Sequence, residues 1–201
     1  MMKLGVLISG SGTNLQAIID AIAAGSLDAQ VVLVISSKAD AYGLKRAHAA
    51  GIPTMGLTRE VYEDRKAADE LIVREMLRAG AEYIAMAGYM RMVTSPILEA
   101  FKDRVINIHP ALLPSFPGAQ GVVDAYNSGV KVTGVTVHFA NEVYDQGPII
   151  AQRALDIHEG ESLESLAERI HAIEHQLYPA TLQLIAQGRV SITKDRKVSI
   201  T

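Results

Sequence analysis

Asn107 and His109 stand two residues apart at the end of an apolar run, in the segment INIHPALLPSFPG. Successive side chains of a strand point to opposite faces, so we expect both polar groups on one face and Ile106 and Ile108 in the core. An imidazole can act as an acid near neutral pH, and an amide N–H can donate to a developing oxyanion. The pair therefore predicts acyl-transfer chemistry. The alternative is that both side chains only satisfy backbone groups at a strand end.

Asp145, in the segment NEVYDQGPII, is the candidate partner for that histidine. It lies in a Gly-Pro turn after a predicted strand, and loops on a rigid scaffold commonly carry functional groups. A carboxylate beside His109 favours the imidazolium form of the ring, which makes it a usable acid. The sequence has no nucleophile elbow and no metal-ligand spacing. We therefore predict direct transfer of an acyl group to an incoming amine, with no covalent enzyme intermediate and no metal.

A glycine loop, LISGSGTNLQAII, follows the first predicted strand and precedes a helix. Gly10 and Gly12 allow a tight turn, Thr13 and Asn14 are candidates to cap the helix, and free N–H groups at such a helix start bind an anion. A plain strand-to-helix turn is the first alternative. A dinucleotide site is the second; it is disfavoured because Leu15 replaces the third glycine of the motif, although SSK after the second strand leaves NADP open. We predict a single phosphate, such as that of a ribose 5-phosphate.

The remaining histidines are predicted to be structural or exposed. His138 alternates with core residues of a strand, so satisfaction inside the sheet is the favoured role. His171 and His175 lie one turn apart on the predicted terminal helix, but the sequence identifies no third metal ligand. His48 and His158 are expected at the surface.

Short β-branched runs alternate with segments of helical period over the first half of the chain, which predicts βαβ units and a parallel sheet. VTGVTVHFAN and PIIAQRALDIH lack a helix between them and are separated by a short turn, so this part should be antiparallel. A terminal helix is predicted from Ser162 to about Ala186. We expect a single domain over residues 1–201, with a hairpin or loose tail from about residue 189.

The composition excludes several classes of protein. The net charge is -3 over 201 residues, so no basic field is available for nucleic acid, and the absence of cysteine excludes disulfides and thiolate catalysis. No apolar run approaches the roughly 18 to 20 residues that span a bilayer, and no secretion signal precedes the first strand. We expect a cytoplasmic protein that binds neither membrane nor nucleic acid.

Six segments carry a resemblance to a known family: SGSGTNLQAI, AGYMRMV, NIHPALLPSFPG, GVTVHF, DQGPII and EHQLYP. In their order and spacing the chain resembles the phosphoribosylglycinamide formyltransferase family, to about Gly188. The resemblance implies a Rossmann-like three-layer α/β/α formyltransferase fold with a mostly parallel sheet. It also implies transfer of the formyl group of 10-formyltetrahydrofolate, the cosubstrate, to the amine of 5-phosphoribosylglycinamide in de novo purine biosynthesis. Separately, we expect a monomer or homodimer.

The resemblance also implies roles for particular residues. His109 would be the acid, Asn107 would hold the oxyanion, and Asp145 would keep His109 charged. The other implied residues bind substrates: Gly12, Thr13, Asn14 and Glu174 for the phosphoribosylglycinamide, and Arg65, Met90, Arg91, Met92, Val93 and Asn107 for the folate. Taken without the resemblance, Glu174 is an ordinary surface acid and Arg65 a solvated charge. Gln120 stands where other members carry a histidine, and we predict no role for it.

Two relatives with the same catalytic trio provide alternative functions. Methionyl-tRNA formyltransferase has an extra carboxyl-terminal domain and formyltetrahydrofolate hydrolase an extra amino-terminal one, and we expect this chain to have room for neither. A hydrolase and a non-catalytic phosphosugar or folate sensor remain open. The presence of all three trio residues favours an enzyme.

Overall fold

A seven-stranded sheet forms the centre of the computed structural model, which describes residues 1–201. Its strands are β1 (Met2–Ile8), β2 (Ala29–Ser36), β3 (Thr54–Gly56), β4 (Tyr83–Met86), β5 (Val105–His109), β6 (Val132–Phe139) and β7 (Ile149–Asp156). The helices are α1 (Thr13–Ala23), α2 (Tyr42–Ala49), α3 (Arg65–Arg78), α4 (Ser95–Ala100), α5 (Gly121–Ser128) and α6 (Leu163–Ala186), with a 3₁₀ turn at Glu60–Glu63. A separate antiparallel hairpin, β8 (Val190–Ile192) and β9 (Val198–Ile200), ends the chain.

The strand order is β3-β2-β1-β4-β5-β6-β7. The neighbouring strands are parallel in the pairs β3–β2, β2–β1, β1–β4 and β4–β5. They are antiparallel in the pairs β5–β6 and β6–β7. The predicted fold class, a mostly parallel sheet with an antiparallel carboxyl-terminal part, is confirmed. Strand order reverses between β1 and β4, and the crevice at the carboxyl ends of such strands is where open α/β sheets bind ligands.

Alternating side chains of the sheet build two cores. Along β1, Leu4, Val6 and Ile8 enter a core shared with α1 and α6, whereas Leu7 enters a second core shared with α3 and α4. Each core has the period of two that a strand imposes, because neighbouring side chains point to opposite faces. The three-layer α/β/α arrangement is therefore confirmed.

Helix α6 is placed by its apolar face and by one buried hydroxyl. Ser162 caps it, since its Oγ accepts a hydrogen bond from the Ser165 N–H at 3.2 Å. The Tyr178 hydroxyl lies 2.9 Å from the carbonyl oxygen of Ile106 and 3.2 Å from that of Met86. These contacts fasten α6 to β5 and β4, so the residues one turn earlier on α6 face the crevice. None of the helices combines the length and apolarity needed to cross a membrane.

Candidate active site

The structure brings Asn107, His109 and Asp145 together at the carboxyl end of β5. Both polar residues of β5 project from the same face, and Asp145 reaches them from the β6–β7 loop. Its Oδ2 lies 3.4 Å from His109 Nδ1, and its Oδ1 lies 3.4 Å from Asn107 Nδ2. The side chains of Asp145 and His109 are almost completely buried. One carboxylate thus contacts both of the other candidates.

The ring of His109 is held at both nitrogens by acceptors. Nε2 lies 2.8 Å from the carbonyl oxygen of Phe116, which can only accept, so Nε2 carries a hydrogen. Nδ1 faces the carboxylate of Asp145, which favours a hydrogen there too. Both ring nitrogens of His109 therefore face oxygen atoms that can only accept hydrogen bonds.

Asp145 remains a carboxylate because of its hydrogen bonds. Burial by itself would raise its pKa, but hydrogen bonds from His138 and from the Gly118 N–H, and the charges of His109 and His138, hold the pKa below its usual range. The Gly118 N–H donates to Oδ2 at 2.8 Å. Asp145 is therefore charged throughout the neutral range.

His138 is a member of this cluster, although its sequence pattern favoured a purely structural role. It is paired with Asn107 across the antiparallel β5–β6 ladder. Its Nε2 lies 3.1 Å from Asn107 Nδ2 and 3.5 Å from Asp145 Oδ1, and its Nδ1 donates to the Phe139 carbonyl oxygen at 2.9 Å. The signal that could have found it is the β5–β6 register, which one sequence does not fix.

Side chains of β6 and β7 hold the proline loop in place. Thr136 Oγ1 donates to the Ala111 carbonyl oxygen at 2.7 Å and accepts from the Leu113 N–H at 3.1 Å. Gln152 Nε2 donates to the Leu113 carbonyl oxygen at 2.9 Å. The loop places Phe116, with φ of 54°, so that its carbonyl faces His109. The three prolines limit the loop's conformations, and these two polar side chains select one of them.

The glycine loop forms the second part of the site, and its helix cap differs from the prediction. Gly12, with φ of 72°, is the N-cap of α1, and no side chain caps the helix, so the prediction for Thr13 and Asn14 is wrong. The loop packs against Gly43, whose Cα would lie 2.6 Å from a Cβ at Gly12. With no side-chain cap, the first N–H groups of α1 are free for an anion.

The Asn14 side chain contacts Glu174 instead of capping the helix. Glu174 is buried and does not lie at the surface. Asn14 Nδ2 donates to Glu174 Oε2 at 3.2 Å, and His171 Nδ1 lies 2.8 Å from the same oxygen. The hydrogen bond to Glu174 raises the pKa of His171. These residues line a cavity of about 330 Å³ together with Gly12, Thr13 and Lys38. The cavity combines free N–H groups and a lysine for an anion with a carboxylate for a donor.

Four of the predicted folate residues, Met90, Arg91, Met92 and Val93, lie on the β4–α4 loop, between that cavity and the catalytic cluster. Met90 lines the cavity, and Met92 and Val93 line a narrow cleft with Asn107 and Asp145. The loop is anchored from α3, because buried Asp69 accepts from the Thr94 N–H at 2.6 Å and from its hydroxyl at 2.7 Å. The Arg91 guanidinium lies 4.6 Å from the centre of the Tyr62 ring.

Arg65 is not brought to the site. It is the exposed first residue of α3 and lines neither the cavity nor the cleft. A larger open groove of about 940 Å³ between α1 and α6 contains none of the three clustered residues. No group of three or more His, Asp or Glu side chains is arranged to hold a metal ion.

Comparisons with known proteins identify the family of the chain. A family model described as formyl transferase matches residues 2–182. The chain belongs to the formyl transferase family. The phosphoribosylglycinamide formyltransferase of Bacillus subtilis is 40% identical to this family member over 183 residues, which cover 91% of the chain and 94% of that protein.

Two further comparisons concern length and fold. The trifunctional purine biosynthetic protein adenosine-3 of Gallus gallus is 41% identical over 98% of the formyl transferase chain, which spans only 20% of that longer protein. The crystal structure of glycinamide ribonucleotide transformylase 1 from Symbiobacterium toebii superposes with a TM-score of 0.96 at 46% identity. That match covers 100% of this chain and 94% of the other. The predicted family and its fold are confirmed.

Proposed function

We propose that this chain transfers the formyl group of 10-formyltetrahydrofolate to the amine of 5-phosphoribosylglycinamide, a step of purine biosynthesis. The observation that carries the proposal is the buried contact of His109 and Asn107 with Asp145, a short way along the crevice from an anion-binding glycine loop. The chain's family and the names of its full-length relatives support the same activity.

The cluster supplies what attack by an amine on a formyl carbon requires. A bond forms between the amine nitrogen and the formyl carbon, the bond from that carbon to the folate nitrogen breaks, and the folate nitrogen takes the proton that the amine loses. Charge develops on the formyl oxygen in between. An amide nitrogen has two hydrogens, so Asn107 can donate to Asp145 and to that oxygen. Protonated His109 stabilises the same charge and acts as the acid.

The phosphoribosyl end of the acceptor fits the cavity beside α1. Its phosphate would accept hydrogen bonds from the N–H groups of Gly12, Thr13 and Asn14, where the helix dipole favours an anion. Buried Glu174 would accept from the ribose or glycinamide end. The amine would then point along the crevice towards Asn107.

The folate would lie along the β4–α4 loop, on the backbone of Met90, Arg91, Met92 and Val93. Met90 offers its carbonyl oxygen there, because its N–H already donates to Ser9 Oγ at 2.8 Å. The cleft beside Met92 has a volume of about 20 Å³, enough for a water molecule only. A pterin ring therefore requires the exposed side chains of Met92 and Tyr144 to move aside. Arg65 would meet the glutamate tail further out.

The proposal includes three further predictions from the sequence. They are a cytoplasmic location, a monomer or homodimer, and one formyltransferase domain over residues 1–201.

The proposal is tested by following the deformylated folate spectrophotometrically, with and without the phosphoribosylglycinamide acceptor. We expect product only when acceptor is present, with formylated acceptor appearing in equal amount. Product without acceptor would identify a hydrolase. Binding of both ligands with no turnover would identify a sensor, and either result would overturn the transferase.

Gly121→Ala should reduce turnover without weakening the fold. A Cβ at this first position of α5 would lie 3.0 Å from His109 Nε2 and 3.2 Å from the Phe116 carbonyl oxygen, so the ring has to shift by a few tenths of an ångström. Because catalysis depends on such positions, we expect kcat to fall about 3- to 10-fold. The melting temperature should change little, since alanine favours a helix more than glycine. An unchanged kcat would show that the ring position tolerates this displacement.

A further inference from the structure

The Ser9 hydroxyl joins three chain segments at the point where strand order reverses. Ser9 directly follows β1 and begins the glycine loop, and its side chain is buried. Its Oγ accepts a hydrogen bond from the Met90 N–H at 2.8 Å and lies 2.6 Å from the Oγ of Ser37, which follows β2. Ser37 is buried as well.

This contact links the two substrate loops directly. Residues 9–14 hold the proposed phosphate site and residues 88–94 the proposed folate site. Each loop has its own anchor elsewhere, since Arg46 Nε donates to the Ser11 carbonyl oxygen at 2.8 Å and Asp69 holds Thr94. The bond from Met90 to Ser9 is the only hydrogen bond between the two loops. Beyond the β1–β4 ladder that precedes both loops, it is the one direct link that fixes their separation.

We propose that Ser9 is a positioning residue that sets the distance between the acceptor amine and the formyl carbon. The inference rests on the proposed function, because it requires one substrate on each loop. Reacting atoms must approach to about 3–3.5 Å, and a misplacement of about 1 Å can lower the rate roughly 10²-fold. Ser9 lines the cavity of the proposed phosphate site, but the N–H groups that would bind the phosphate belong to residues 12–14, so we expect its effect mainly on kcat.

Ser9→Ala and Ser37→Ala form a matched pair of variants. Both remove a buried hydroxyl and the same 2.6 Å contact, but only Ser9→Ala removes the acceptor of the Met90 N–H. We expect kcat of Ser9→Ala to fall about 10- to 100-fold, with Kd for each substrate alone changed less than about 3-fold. Ser37→Ala should keep kcat within about 3-fold of the unmodified protein and show a similar drop in melting temperature.

Steady-state kinetics, calorimetric binding and thermal unfolding give the three readouts. Equal kcat in the two alanine variants would overturn the inference, and so would a loss that appears in the Kd of one substrate only. If Ser9→Ala does not fold, Ser9→Cys preserves the side-chain shape with a weak acceptor, and its kcat should fall too. The unmodified protein is assayed first: no transfer by it would refute the proposed function, whereas transfer with equal variants would refute only the role of Ser9.

Discussion

Replacing His109 by alanine should lower kcat by roughly 10²- to 10⁴-fold, the usual contribution of a general acid. The free energy of activation would rise by about 3–5 kcal/mol. Kd for both substrates should change little, because the imidazolium acts mainly on charge that develops in the transition state. Single-turnover kinetics combined with equilibrium binding would separate the two quantities.

His48→Ala is the matched control, since His48 is exposed on α2, far along the chain from the cluster. It should have unmodified kinetics. If His109→Ala lost substrate affinity while bound substrate still reacted at the normal rate, His109 would be a binding residue and its assignment as the acid would be wrong.

Asp145→Asn should lower kcat by about 10²-fold or more, although the side chain keeps its shape. The substitution removes the charge that faces His109 Nδ1 at 3.4 Å and one acceptor for the Gly118 N–H. The amide of the variant has one acceptor oxygen in place of two. If its N–H₂ group faces the His109 N–H or the Gly118 N–H, that donor has no acceptor. Steady-state kinetics measure the loss, and a kcat equal to that of the unmodified protein would contradict the role of Asp145.

Asp145→Asn should also change stability in a pH-dependent way. The folded-state pKa of Asp145 is lowered, so its contribution is complete above the unfolded value of about 3.9 and is lost as the pH falls through the folded value. We expect the unfolding free energy of the variant to lie about 1–3 kcal/mol below that of the unmodified protein at pH 7. The difference should shrink in acid below about pH 4. Denaturant titrations at pH 7 and well below pH 4 measure it, with exposed Asp195→Asn as the control.

Local sequence patterns were sufficient for the elements and for part of the site. The alternation of β-branched runs and helical periods predicts a parallel sheet, and the short turn between the last two long strands predicts the antiparallel part. Both patterns act through nearest neighbours, because a strand has a period of two and a tight turn can only join antiparallel strands. The same period places Asn107 and His109 on one face, and glycines followed by a helix start indicate an anion site.

Long-range packing decided the rest, because contacts between distant residues depend on strand order and register. His138 enters the cluster only through its pairing with Asn107 in the β5–β6 ladder. Glu174 is part of a helical pattern in which it could face solvent, and the anchoring of Tyr178 against β4 and β5 turns it into the cavity. The cap of α1 shows the opposite case, since Gly12 and not Thr13 or Asn14 stands at the N-cap.

The sequence by itself therefore determined the sheet type, the polar face of β5 and the glycine turn before α1, all of which follow from local backbone geometry. Only the tertiary structure decided that Asp145 contacts both His109 and Asn107, that His138 joins them, and that Ser9 links the glycine loop to the β4–α4 loop. The physical reason is that these contacts join residues 31 to 81 positions apart in the chain, where burial makes each polar group depend on a partner.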